Sequence, residues 1–298
     1  MILGIDPKVD YAFKHLFGRE ATQPLLIDVL DSILNPASGH HIQDIELLNP
    51  FNPKEALDDK LSILDIKARD QTGRQFNVEM QMLAAQYFEQ RILYYWAKLY
   101  QQQLHEGKEY LDLKPTLSIS FLDHVRFPKA RNYHLCFRLW EARHRFAFTD
   151  DLEFHLLELP KFRKSDAELS SSLDAWLYFL RQAEKIDTDA VPAALQPYPL
   201  VLRALEELKM LAQNDLEREL YEARRKAQLD YITGLKAARL EGHEEGRSQG
   251  RAEGEISRIH LCERLLKRPL TPTEQLTSRS LEQLIQLADE LQAQVLKD

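Results

Sequence analysis

Hydrophobic and polar positions alternate twice in close succession in "KLSILDIKARDQTGRQFNVEMQ", residues 60–81. Strand side chains point alternately to opposite faces, so the first run sets Leu61, Ile63, Asp65 and Lys67 on one face. The second sets Gln75, Asn77, Glu79 and Gln81 on one face and Phe76, Val78 and Met80 on the other. A polar turn with Gly73 separates the runs, and together they predict a β-hairpin with its loop around Asp70 to Arg74. Helical spacing governs the flanks. "YAFKHLFG" predicts a short helix ending at Gly18, and "QPLLIDVLDSILNP" a stronger one carrying Leu26, Val29, Leu30 and Ile33, stopped at Asn35-Pro36. "HIQDIELLNP" reads as a short strand. From Gln86 to Gln103, Phe88, Ile92, Tyr95 and Leu99 form one apolar stripe, widened by Trp96 and Tyr100. "KPTLSISFLDH" follows as a strand with Leu117, Ile119 and Phe121 on one face.

The order from residue 21 to 123 is thus helix, strand, strand, strand, helix, strand, which predicts an α/β fold, a mixed sheet with helices on its faces. Two more strands are expected in "NYHLCFRLWE" and "LEFHLLELPKF", where Cys136 reads as buried packing. The texture changes after residue 163. "SDAELSSSLDAWLYFLRQAEK" opens with a capping signal and continues as an amphipathic helix, and residues 200–240 keep a helical pattern. The expected division is an α/β domain over 1–163, a helical region over 164–240, and a tail over 241–298.

The tail holds the one repeat. Gly242, Gly246, Gly250 and Gly254 recur every fourth residue in "LEGHEEGRSQGRAEGE". Each glycine costs a helix about 1 kcal/mol against alanine. The repeat is either a slanting stripe that lets a second helix approach, as in a homodimer through the C-terminal region, or a flexible charged linker. Beyond it, "LTPTEQL" offers Thr271 as N-cap, Pro272 at the first helical position and Glu274 at the third, and Ser280 with Gln283 repeats the capping pattern.

Composition narrows the function classes. The chain has 298 residues, 44% hydrophobic and 29% charged, an ordinary globular balance. Its start, "MILGIDPKVD", does not read as a signal peptide, and no apolar run approaches the roughly 18 residues a membrane helix needs, so no membrane partner is expected. The two cysteines, Cys136 and Cys262, and the ten histidines make no metal-ligand spacing, and a reducing cytoplasm is the expected location. A net charge of −8 gives no global attraction to nucleic acid, so any such contact needs a local basic patch. The densest basic run of the first domain lies between His124 and Arg145; it includes Arg126, Lys129 and Arg131 and reads either as a phosphate-contacting surface or as a solvated loop.

Acids in mid-strand are the candidate chemistry. Asp65 and Glu79 lie equally far from Thr72, so in a hairpin of that register they sit opposite each other, roughly 5 Å apart at Cβ. Facing carboxylates repel unless a cation lies between them, and hard oxygen donors suit Mg²⁺ or Mn²⁺. A metal so held can activate water and stabilise a phosphate under attack. The other reading of the same residues is an exposed polar hairpin face. Asp10 and Lys14, an i,i+4 pair, either reach this site or form an ordinary surface ion pair. Arg91, just after the hairpin, either holds Glu79 or a phosphate, or faces solvent.

Asp65 followed by Glu79-x-Gln81 on the next strand, within this element order, resembles the PD-(D/E)xK nuclease superfamily. More narrowly, "DYAFKHLFG", "SILDIKARDQTGRQFNVEMQ", "YFEQRILYYWAKLY" and "TDDLEFHLLELPKF" resemble the Rpn family of recombination-promoting nucleases, or transposase-like proteins, over about residues 4–163. The resemblance implies a restriction-endonuclease-like sheet and a Mg²⁺-dependent DNA endonuclease, with Mn²⁺ able to substitute, associated with recombination or mobile elements. It implies Asp65 and Glu79 as metal-binding acids. Gln81 occupies the position usually held by lysine, and a neutral amide can only hydrogen-bond; Lys67 or Lys14 would then supply the cation. The alternative is a nuclease-fold protein of little or no activity that assembles through its C-terminal helical tail.

Overall fold

The computed structural model describes residues 2–35, 41–49, 51–52, 62–63, 65–84 and 86–296. In chain order these form α1 (Asp10–Phe17), α2 (Gln23–Leu34), β1 (Ile45–Leu48), β2 (Phe51–Asn52), β3 (Ser62–Ile63), β4 (Ile66–Asp70), β5 (Gln75–Gln81), α3 (Phe88–Gln101), β6 (Thr116–Leu122), β7 (His134–Arg138) and β8 (Leu152–Glu158). The helices α4 (Ser172–Gln182), α5 (Pro199–Gln213), α6 (Asp215–Leu265), α7 (Thr273–Thr277) and α8 (Leu281–Val295) follow. The main sheet has the order β1-β4-β5-β6-β8-β7. Strands β5, β6 and β8 run parallel, while β1, β4 and the outer β7 pair antiparallel to their neighbours. This is the mixed, helix-flanked sheet of the restriction-endonuclease-like fold, followed by a helical C-terminal region.

Both faces of the sheet are covered, which is why β6 is buried at every position. One face carries Phe76, Val78, Ile119, Phe121 and Leu157 into a core shared with α1, α2, α4 and α5. Phe13 of α1 meets Phe121 edge-on with ring centroids 5.9 Å apart, and Phe17 meets Trp176 of α4. The other face packs Leu122, Phe154 and Leu156 against Phe88 and Ile92 of α3. The Trp96 indole N–H also donates to the Thr116 carbonyl at 2.7 Å, fixing α3 across the sheet.

The hairpin forms with its turn held by Asp70. Its Oδ1 accepts from the backbone N–H of Thr72 and Arg74 at 2.9 Å each, and its Oδ2 accepts from Arg74 Nε at 2.6 Å. Gly73 has φ +90°, where an L side chain is strained, and a Cβ there would meet Lys114 at 3.0 Å. The first strand is not the single run expected. Ser62–Ile63 pairs with Phe51–Asn52 in a separate two-stranded ladder, and Asp65 stands at a bend just before β4. Lys60, Leu61 and Leu64 lie outside the described residues.

By packing, residues 1–228 form one compact unit and residues 229–298 a second. The expected boundary at 163 does not coincide with this division. The reason is that Trp176, Phe179, Val201, Leu205 and Leu208 of α4 and α5 sit in the same core as α1 and the sheet. In the second unit, Ile256, Ile259 and Cys262 of α6 pack with Leu276 of α7 and with Leu284, Ala288 and Leu291 of α8. Ser280 and Gln283 form the expected capping box. Thr271 does not cap α7: its hydroxyl and N–H donate to the buried Glu263 carboxylate, and Pro272 takes the N-cap position. The four spaced glycines all lie inside helical α6, and a Cβ on any of them would meet nothing within 4 Å. No helix among the described residues is long and apolar enough to cross a membrane.

Candidate active site

Register brings the two acids together. The pairs run from Arg69↔Gln75 to Ile66↔Val78, and one further step sets Asp65 against Glu79. Glu79 points to the α3 side of β5 and is only 2% exposed. Its Oε1 accepts from Asn77 Nδ2 and its Oε2 from Gln81 Nε2, both at 3.0 Å. Burial pushes the Glu79 carboxyl up to about 7. The Asp65 charge adds to this, while Asn77, Arg91 and Gln81 oppose it. Asp65 Oδ2 accepts from the Met80 N–H at 3.0 Å. Burial also raises the Asp65 carboxyl, against the Met80 hydrogen bond and the Lys14 charge.

Two cations serve this pair, from different elements. Lys14 lies 2.7 Å from Asp10 and 3.6 Å from Asp65, so the α1 ion pair reaches the site. Burial works against the Lys14 ammonium, but Asp10 and Asp65 outweigh it and raise its pKa. Arg91 of α3 donates to Gln81 Oε1 at 2.5 Å. Gln81 thus links a guanidinium to Glu79: its amide gives one hydrogen bond to the carboxylate and takes one from Arg91. Lys67 is not part of this group. Its ammonium donates to Gln102 Oε1 at 3.0 Å, and burial lowers its pKa. It shares the strand face with Asp65, but the far end of α3 draws it away.

Three neighbours escaped the sequence reading as site residues. Asn77 is fully buried beside Glu79, and alternation alone places it on that face. Tyr95 stands one turn beyond Arg91, and burial followed by the Glu79 charge raises its phenol; the i,i+4 spacing of Arg91 and Tyr95 was the available signal. His124 follows β6, and burial lowers its pKa, with Arg126 adding to the effect.

The donor set fits a hard divalent cation. Asp65 and Glu79 supply carboxylate oxygens, and the Asn77 Oδ1 beside them is buried with no hydrogen-bond partner among the described residues. The basic run leaves the sheet at the same end, since the Asp123 N–H donates to the Gln81 carbonyl at 2.9 Å. Arg126 there is spent on Glu89, which it contacts through Nε and a terminal nitrogen at 2.6 Å each, while Lys129 and Arg131 are exposed.

The sheet order and the acidic hairpin define a nuclease-like fold. Residues 7–238 match the family described as PD-(D/E)XK nuclease family transposase, and the chain belongs to that family. No curated protein and no solved structure matches it.

Arg91 alters the expectation for Gln81→Lys. The new ammonium would neutralise Glu79 but would remove the Arg91 acceptor and stand beside its guanidinium. Plasmid cleavage by Gln81→Lys should stay within about tenfold of wild type, about 1.4 kcal/mol in barrier height. Loss of cleavage with Mn²⁺ binding intact would show that the amide bridge is itself required.

Proposed function

We propose that this chain is a Mg²⁺-dependent DNA endonuclease that hydrolyses phosphodiester bonds, with Mn²⁺ able to substitute. The observation that carries the proposal is the pair of carboxylates that register sets opposite each other, Glu79 buried and Asp65 partly buried, with both pKa values raised. A buried and a partly buried acid with partial cationic compensation make a site that gains from a divalent ion. The ion would supply charge for a phosphate under attack and favour ionisation of a water. The chain's own residues do the rest. The Met80 N–H fixes Asp65, Asn77 and Gln81 fix Glu79, and Lys14 and Arg91 hold positive charge on either side of the pair. Lys129 and Arg131 are the proposed contacts to the DNA backbone, and Arg126 braces their loop. The family supports a role in recombination or mobile-element biology, and the two free cysteines fit a cytoplasmic setting. Incubating supercoiled plasmid with the full chain tests the reading. Nicking that requires Mg²⁺ and stops on chelation supports it; intact plasmid over a range of Mg²⁺ and Mn²⁺ refutes it.

Two observations favour a second reading, a silent nuclease fold that acts by assembly. Both ends of the Gln81 amide are occupied, and the α6 glycine stripe is exposed along a helix that glycine weakens. Under this reading, and compatibly with the first, a second copy packs on the stripe as a homodimer. Sedimentation of the full chain should give a dimer, and a version ending at Ala238 a monomer. A full-length monomer at tens of micromolar would remove the stripe as an interface.

A further inference from the structure

We propose that Cys136, Glu153 and His155 form a zinc site on the outer pair of strands, separate from the acidic pair and with different ligand chemistry. Cys136 lies well before Glu153 and His155 in sequence, but β7 and β8 pair in a register that sets Cys136 against His155 and Arg138 against Glu153. Alternation then places Cys136, Glu153 and His155 on one face. Their ligand atoms all lie within 4.8 Å of one another. His155 Nε2 is 3.9 Å from Cys136 Sγ and 3.0 Å from Glu153 Oε2. Tetrahedral zinc with one sulfur, one imidazole nitrogen and one carboxylate oxygen sets such atoms about 3.3–3.6 Å apart, so the two contacts of His155 need shifts of a few tenths of an ångström and the thiol and carboxylate close on the ion by side-chain rotation.

The surroundings are those a metal site needs. A ligating imidazole fixes its tautomer by donating its other N–H. His155 Nδ1 lies 2.9 Å from His134 Nε2, leaving Nε2 to face the cysteine and the glutamate. The glutamate is held in the same way, with Oε1 bound by Arg138 at 2.8 Å and Oε2 turned to the cluster. Each of these two ligands therefore has one outer partner and one ligating atom turned into the cluster, where the two meet each other. Thiolate with imidazole favours zinc over Mg²⁺, whose ligands are hard oxygens. One thiolate and one carboxylate balance the charge of the ion, and the thiol proton leaves to solvent on binding. His155 is buried and Cys136 exposed, so the fourth position opens to water. Bound zinc would fasten the edge strand β7 to β8.

The competing account is a metal-free ion pair within β8, with His155 donating to Glu153 and the thiol a bystander. Cobalt separates the two. The full chain, stripped with a chelator and loaded with Co²⁺, should show the near-ultraviolet thiolate-to-metal band. Cys136→Ser should abolish that band while the metal-free protein keeps its melting temperature, since the side chain is exposed, and Cys262→Ser should keep the band. Zinc competition should show His134→Ala binding about 10- to 100-fold more weakly, the effect of losing an outer-shell partner. Absence of the band in wild type, or its survival in Cys136→Ser, would overturn the proposal.

Discussion

Asp65→Asn should leave supercoiled plasmid nearly uncut, with nicking reduced at least about 100-fold, the scale of losing one preorganised electrostatic group at a reacting phosphate. The substitution is chosen because it changes charge and little else. An asparagine oxygen can still accept from the Met80 N–H, which now bonds Asp65 Oδ2 at 3.0 Å. The bend before β4 is therefore kept. Because burial raises the Asp65 carboxyl, the neutral side chain should not lower the melting temperature. Lys14 contacts Asp65 at 3.6 Å and is about two-fifths exposed, so Lys14→Ala should cost much less cleavage than Asp65→Asn. Unchanged nicking by Asp65→Asn would take Asp65 out of the reaction. A fall in nicking accompanied by a fall in melting temperature would mark it as structural.

The parts of this site visible in the sequence are those set by local periodicity. Alternation about Thr72 gave the pairing of Asp65 with Glu79, and β4 and β5 follow that register from Arg69↔Gln75 to Ile66↔Val78. The order of helices and strands likewise follows from period and capping, because each signal lies within one element. What alternation cannot supply is how far a side chain reaches and which helix covers it. Lys67 and Asp65 share a face, yet the lysine extends to Gln102. Arg91 looked equally suited to solvent, and only the packing of α3 over β5 turns it onto Gln81.

The same limit explains the cysteine. Cys136 read as buried packing because its strand alternates cleanly. The strand lies at the sheet edge, where Cys136, Phe137 and Arg138 are all exposed, and its partners come from β8. Spacing rules for metal ligands search along the chain, while antiparallel pairing joins residues across it. The shared core of α4 and α5 with the sheet is a further non-local fact. Their amphipathic pattern predicted a buried face but not the surface it would meet.

Glu79→Gln should make the metal-free protein more stable at neutral and alkaline pH. Burial raises the folded-state pKa of Glu79 from 4.5 to about 7, so the folded chain holds a proton that the unfolded chain releases. The stability this gives is complete below the unfolded value and is lost as pH rises through about 7. At about 1.4 kcal/mol per pH unit, the loss amounts to roughly 3 kcal/mol by pH 8. A neutral amide carries no such dependence. It also suits its surroundings, because a flip of Asn77 would offer its Oδ1, without a partner among the described residues, to the new NH₂ group. Denaturant melts in chelator between pH 4.5 and 8 should therefore diverge, the wild type falling relative to the variant as pH rises. The slope carries the argument, since the substitution can shift both curves by a constant. Excess Mg²⁺ should narrow the gap by stabilising the wild type alone, because the ion favours the ionised carboxylate that burial opposes. Parallel curves across this range would show that Glu79 is not buried as a strained acid.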